Sequence, residues 1–182
     1  MKIIAGQWRG RSLLAPAGDA TRPTSARARE GLFSMLVSRL GGFEGLIVAD
    51  LFAGTGALGL EALSRGAAHC TFVERERAAL DKLRRNLDML GGGERAEIVT
   101  QGVEHVRPPA RPCDLILIDP PYGTGLAQMA LDRIAAGGWL APGGWLSVET
   151  GGEALVFAGK LKADAERRFG KATITLARLQ PA

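Results

Sequence analysis

The chain has 182 residues, a length that as a prior means one domain with a real core. Its 46% hydrophobic and 23% charged residues fall in the ordinary globular range, and no apolar run is long enough to span a membrane before Asp, Glu, Arg or Gly interrupts it. Two cysteines, Cys70 and Cys113, and two distant histidines, His69 and His105, supply neither a disulfide framework nor a ligand set, so buried thiols and no metal site are expected. The opening residues Met1 to Gly6 lack the apolar stretch and cleavage site of a signal peptide, which points to a cytoplasmic protein. The net charge of +4 is unevenly spread. Seven basic residues against Asp19 and Glu30 leave +5 on residues 1–39, so the rest of the chain sums to −1. A basic head on a near-neutral body is the footprint of a protein that grips a polyanion at one end.

In chain order, Ile3 to Leu14 reads as two short strands around a Gly-bounded turn, a hairpin carrying Trp8, Arg9 and Arg11. Pro16 to Pro23 reads as a loop, and Thr24 or Ser25 as the N-cap of a helix over 26–40, which Gly41-Gly42 ends. Strands and helices then alternate: strand 46–51, helix 57–65, strand 70–73, helix 75–90, strand 97–100, a helical turn near 103–106, strand 113–118, helix 126–135 and strand 145–149. Segments 155–162 and 172–179 have β character and suggest a closing antiparallel pair. Continuous apolar strands alternating with amphipathic helices predict an α/β fold, a mostly parallel sheet covered on both faces. Two parts are expected: residues 1–40 as a basic hairpin and helix, and residues 41–182 as the α/β domain.

In such sheets ligands bind beyond the carboxyl ends of the strands. Three segments fall there. Asp50-Leu51-Phe52-Ala53-Gly54-Thr55-Gly56 closes the first strand, and its glycines let the backbone turn tightly and approach a ligand. The Gly54-x-Gly56-x-x-Gly59 pattern also occurs in dinucleotide-binding folds. A carboxylate at position 50 would repel a pyrophosphate and suits a cationic ligand such as S-adenosylmethionine. Glu74 ends the second strand, about twenty positions on, where it is placed to accept hydrogen bonds from ribose hydroxyls. Asp119-Pro120-Pro121-Tyr122 ends the very apolar fourth strand. Its prolines fix φ and present rigid carbonyls. The Asp119 carboxylate and Pro120 carbonyl are suited to accept the N–H bonds of a nucleobase amine, and Tyr122 offers a stacking face worth about 1–3 kcal/mol per base.

These motifs resemble the amino-methyltransferases of nucleic acids with the class I methyltransferase fold, a Rossmann-like, seven-stranded, mostly parallel sheet. Ile3-Ile4-Ala5-Gly6-Gln7-Trp8-Arg9-Gly10-Arg11, Arg22-Pro23-Thr24-x-x-Arg27-x-Arg29-Glu30, Gly59-Leu60-Glu61-Ala62 and Arg167-Arg168-Phe169-Gly170 narrow the resemblance to the RsmD-type bacterial 16S rRNA guanine-N2 methyltransferases. The resemblance implies that Phe52, Ala53, Gly54 and Gly56 line the S-adenosylmethionine site, with Asp50 bracing the loop and Glu74 on the ribose. It implies that Asp119, Pro120, Pro121 and Tyr122 hold the flipped target guanine. Trp8, Arg9, Arg11, Arg22, Arg27 and Arg29 would contact RNA, and Thr24 or Arg27 would also touch the methionine end of the cofactor. Many relatives in the wider superfamily carry an acidic residue after the third strand, facing adenine. Here Gln101-Gly102-Val103 stands instead, so Gln101 or the Val103 backbone is expected to serve. The expected partner is 16S rRNA within an assembling small subunit, bound by a cytoplasmic monomer.

Asp-Pro-Pro-Tyr alone leaves adenine N6 of DNA or RNA open as the acceptor, since it is the same kind of amine. A nicotinamide-dependent oxidoreductase would place a pyrophosphate beside Asp50 and lacks an evident His or Lys acid at the sheet end. A non-catalytic RNA-binding protein would have no need of the intact motifs.

Overall fold

The computed structural model describes residues 1–15 and 23–181, with the backbone alone for 23–25. The elements are α1 (Pro23–Leu40), β1 (Ile47–Asp50), α2 (Ala57–Ser64), β2 (His69–Val73), α3 (Arg77–Leu90), β3 (Ala96–Val99), β4 (Cys113–Ile118), α4 (Leu126–Ala135), β5 (Leu140–Thr150), β6 (Leu161–Phe169) and β7 (Ala172–Leu179). The seven strands order as β3-β2-β1-β4-β5-β7-β6. β1 pairs in parallel with β2 and β4, while β7 runs antiparallel to β5 and β6. The order reverses between β1 and β4, and the crevice at that switch point is where such sheets bind ligands.

Strand alternation decides which face each side chain covers. In β4, Leu115 and Leu117 join one core with α1, α2 and α3, through Leu36, Leu60 and Leu83. Ile116 and Ile118 join the other, with Leu131 and Ile134 of α4. That is why the strand reads as an unbroken apolar run: both faces are buried. Cys70 and Cys113 are buried free thiols, as expected. Among the described residues no helix is long and apolar enough to cross a membrane.

Four elements differ from the sequence expectation. The hairpin is a tight loop with a single Lys2↔Ser12 bridge rather than two strands. α1 begins at Pro23, ahead of the expected N-cap, and proline suits a first helical position because its missing N–H has no partner there anyway. Residues 103–105 form a hydrogen-bonded turn, closed by His105 N–H on the Gly102 carbonyl at 2.9 Å, and not a helix. β6 starts at Leu161: the apolar segment 155–160 is a loop, whose Val156 exchanges two hydrogen bonds with Gln128 of α4, both at 2.9 Å.

The N-terminal loop sits on polar side chains buried in the helices. Glu61 of α2, fully buried, accepts the Ile4 and Ala5 amides at 2.7 and 3.0 Å and the Arg65 guanidinium at 2.8 Å. Ser64 Oγ accepts the Trp8 amide at 3.0 Å and donates to the Ala5 carbonyl at 2.6 Å. Gly6 lies so close to α2 that a Cβ there would stand 1.8 Å from the Ser64 carbonyl oxygen. Asn86 of α3 accepts the Leu14 amide at 2.8 Å and donates to the Leu14 and Thr55 carbonyls at 3.1 and 2.9 Å. Replacing Glu61 by Ala strips the acceptor from two amides and the Arg65 ion pair, so urea denaturation should show a loss of about 3–5 kcal/mol. Glu61→Gln, which keeps an acceptor, should lose less.

Candidate active site

The carboxyl ends of β1, β2, β4 and β5 open onto one cleft of about 640 Å3. That size is ordinary for a small-molecule site. Its floor is the β1–α2 turn. Gly54 (φ +55°) and Gly56 (φ +89°) adopt the left-handed conformation that side chains resist, and a Cβ on Gly59 would stand 2.3 Å from the Phe72 ring and 2.7 Å from Cys70 Sγ. The three glycines therefore do different work: two turn the chain, and the third brings α2 against β2.

Asp50 is buried under this turn and does not line the cleft. Its Oδ2 accepts the Gly59 amide at 2.9 Å. The N-cap of α2 is Gly56, which has no side chain to cap with, so Asp50 caps the third helical amide from the neighbouring strand. A carboxylate at a helix N-terminus is favoured by the dipole. Burial nevertheless dominates and pushes the Asp50 carboxyl up to about 7, with the Gly59 bond opposing, the charge of Glu74 adding, and the Phe52 amide opposing more weakly. Its place is that of a brace, as the family resemblance implied, and not of a charge facing a ligand.

Glu74 also ties the loop. Its Oε2 accepts the Gly54 amide at 2.8 Å, and its Oε1 accepts the Arg75 and Glu76 amides at 2.8 and 2.7 Å. Each carboxylate oxygen has two acceptor sites, so Oε2 retains capacity for a hydroxyl. Glu74 lines the cleft together with Phe52, Ala53 and Gly54. Gln101 and Val103 line it too. The sequence reading missed Glu104, which lines the cleft and pairs with Arg75, also on its lining, at 3.1 Å.

The opposite wall is Asp119, Pro120 and Pro121, with Glu149 beside them. Tyr122 is 45% exposed and lines a smaller cavity of about 120 Å3 behind the same prolines. Its hydroxyl donates to Glu149 Oε1. Burial, that hydrogen bond, and the charges of Glu149, Asp119 and Glu153 hold the phenol well above its usual range, so it remains a donor. Burial likewise raises the Glu149 carboxyl, with the Tyr122 bond opposing.

Of the residues expected to contact RNA, Arg9, Arg11 and Arg27 are exposed, Arg11 also donating to the Met89 carbonyl at 2.6 Å. Arg29 instead lines the cleft, half-buried, and donates to the Lys2 carbonyl at 2.7 Å. Trp8 is a correction. It is 7% exposed and belongs to the core, with the Arg95 guanidinium 5.2 Å over its ring, because the hairpin needs an apolar anchor against the end of α3. Arg22 lies outside the described residues, as does the side chain of Thr24.

A family model described as Conserved hypothetical protein 95 matches residues 1–178. Ribosomal RNA small subunit methyltransferase D of Escherichia coli strain K12 is 38% identical over 150 residues, which are 82% of this chain and 74% of that protein. The solved structure of yhhF from Escherichia coli superposes with a TM-score of 0.87 at 34% identity, covering 100% of this chain and 99% of that one. The N-methyltransferase NodS from Bradyrhizobium japonicum shares the fold alone, with a TM-score of 0.65 at 13% identity over 88% of this chain and 98% of that one.

The buried Asp50 makes stability depend on pH in a definite direction. Folded, it keeps its proton up to about pH 7; an ordinary aspartate, at 3.8, has long since lost it. Folding thus takes up a proton between those values, and rising pH removes stability across that window until the loss is complete above about 7. Asp50→Asn still accepts from Gly59 but does not titrate. The melting temperature of the parent minus that of Asp50→Asn should therefore fall from pH 4 to pH 7 and then level; a flat difference would show that Asp50 is ionised throughout.

Proposed function

We propose that this chain, which belongs to the Conserved hypothetical protein 95 family and is a small-subunit ribosomal RNA methyltransferase, methylates the exocyclic N2 amine of one guanine in 16S rRNA, with S-adenosylmethionine as donor. One observation supports this above the others: the Asp119-Pro120-Pro121 segment and the glycine turn line the same cleft. A cofactor on the turn and an amine on the prolines would then meet.

The residues fit that cofactor. Glycine backbone at positions 54 and 56 leaves room where a Cβ would intrude, Phe52 and Val103 give apolar flanks, and Glu74 keeps acceptor capacity for a ribose hydroxyl. Gln101 and Glu104 are the side chains on the wall where adenine would lie. S-adenosylmethionine, when bound, supplies an electrophilic methyl group on a sulfonium. The Asp119 carboxylate and the Pro120 carbonyl accept the two N–H bonds of the base amine and aim its nitrogen. Tyr122 stacks on the base once it is flipped from its helix. Most of the rate gain comes from holding the nucleophile at near-attack distance in a desolvated cleft, an effect on the order of 7 kcal/mol or more. Asp119 orients more than it deprotonates.

Residues 1–40 act as the RNA-binding extension, with Arg9, Arg11, Arg22 and Arg27 on phosphates, and residues 41–182 as the methyltransferase domain. So small a basic surface calls for ribosomal proteins to complete the substrate, so the partner is an assembling small subunit. The enzyme works as a cytoplasmic monomer.

Labelled S-adenosylmethionine should transfer its methyl group to small subunits lacking the modification, and digestion should give N2-methylguanosine. Asp119→Ala should lower kcat on the order of a hundredfold while the variant still binds cofactor. Label in N6-methyladenosine would overturn the choice of base. Equal rates on protein-free RNA would overturn the assembled substrate.

A further inference from the structure

The Asp119–Tyr122 segment follows directly on β4. Its prolines donate no backbone hydrogen bond, and the tyrosine that follows is 45% exposed on a turn. What fixes the ring comes from the end of β5. Ile118 of β4 pairs with Val148 of β5 as the last registered pair between these strands, so Asp119 leaves the sheet next to Glu149, which is still within β5. Glu149 is held from the other side by its pairing with Ile174 of β7. Its carboxylate accepts the Tyr122 hydroxyl. Two residues on, the Gly151 backbone lies under the ring, where a Cβ would stand 3.1 Å from Cδ2 and 3.2 Å from Cγ. Glu153 then accepts the Gly123 amide. Glu149 at the end of β5 and Gly151 just after it thus both meet the Tyr122 ring, and Glu153 holds the residue that follows the ring.

We propose that Glu149 is a positioning residue for the target base: its carboxylate, backed by Gly151 and Glu153, locks the Tyr122 ring in the plane on which the base stacks. This rests on the reading above that Tyr122 is the stacking platform. An exposed tyrosine otherwise moves between rotamers on the picosecond-to-nanosecond scale, and each binding event would have to immobilise it. Glu149 removes that cost before the RNA arrives. Its action is through Tyr122 and not on the base itself.

The test is a mutant cycle on the transfer to small subunits, with KM for subunits, KM for S-adenosylmethionine and melting temperature measured for each variant. Glu149→Ala should raise KM for subunits about three- to tenfold, the range expected for freeing one side chain, and leave KM for the cofactor unchanged. Tyr122→Phe cuts the same hydrogen bond from its other end and should match it. The double variant should be no worse than either, and Glu149→Gln, which keeps an acceptor, should restore near-parental values. Additive losses, or a Glu149→Ala effect far beyond that of Tyr122→Phe, would mean that Glu149 touches the base or serves the sheet, and would overturn the proposal. If Glu149→Ala does not fold, the Tyr122→Phe and Glu149→Gln pair decides the question alone. Tyr122→Ala separates the two readings: no effect there would remove the stacking platform itself, whereas a large effect there with a silent Glu149→Ala would remove only the clamp.

Discussion

The site depends first on a carboxylate that no ligand would touch. Asp50 sits buried at the end of β1 and spends its hydrogen bond on the Gly59 amide, at the start of α2. A helix whose N-cap is Gly56 has no side-chain cap of its own, and a Cβ at that position would stand 2.4 Å from Leu83. Capping from the adjacent strand solves both problems and fixes the turn to the sheet. The cost is visible in the raised Asp50 carboxyl. Glu74 completes the arrangement by holding the Gly54 amide from β2. The cofactor half of the cleft is thus a loop tied at both ends to strands that are themselves central in the sheet.

The basic N-terminal loop is coupled to that turn through side chains, not merely attached to the chain before it. Asn86 contacts Leu14 on one side and Thr55, in the middle of the glycine turn, on the other. Glu61 and Ser64 seat residues 4–8 on α2, the helix that the turn leads into. Arg29 and Met1 reach the cleft itself. The loop proposed to grip RNA phosphates therefore shares buried polar contacts with the glycine turn proposed to hold the cofactor. Such networks lock geometry, since each member left unpaired would be costly.

The sheet and the two motif walls were legible in the sequence because they rest on strong local signals: apolar runs, glycines where backbone must turn, and an acid or prolines where a strand must stop. What was not legible is long-range. Trp8 in a basic, glycine-flanked segment looks like a nucleic-acid contact, and only the fold shows that α3 and Arg95 enclose it. Glu61 and Asn86 fall on the apolar faces of their helices, between Leu60 and Ala62 and between Leu83 and Leu87. A polar residue there signals a buried partner, but not which one. β6 was misplaced for a related reason. It is an edge strand whose residues 162–164 and 166–168 are exposed, so it shows no alternation, while the more apolar 155–160 only bridges to it. Glu149 was hidden as an ordinary residue of β5 because its meaning comes from Tyr122, 27 positions away.

The two walls are held by opposite means, and the reason is the backbone. On the cofactor side, amides are plentiful: Gly54, Gly59, Arg75 and Glu76 all donate to the carboxylates of Asp50 and Glu74, so a few side chains fix a flexible, glycine-rich loop. On the base side, Pro120 and Pro121 have no amide to give. They are rigid one by one, yet they have only carbonyls through which the backbone can be held. Support comes from around them: Thr124 donates to the Pro121 carbonyl at 2.7 Å, Glu149 of β5 accepts from Tyr122, and Glu153, in the loop after β5, accepts the Gly123 amide. In the proposed site, the prolines offer an amine carbonyl acceptors without backbone donors competing beside them. The same choice makes that wall dependent on the neighbouring strand, and so links the placing of the base to the antiparallel end of the sheet, where β5 is pinned by β7.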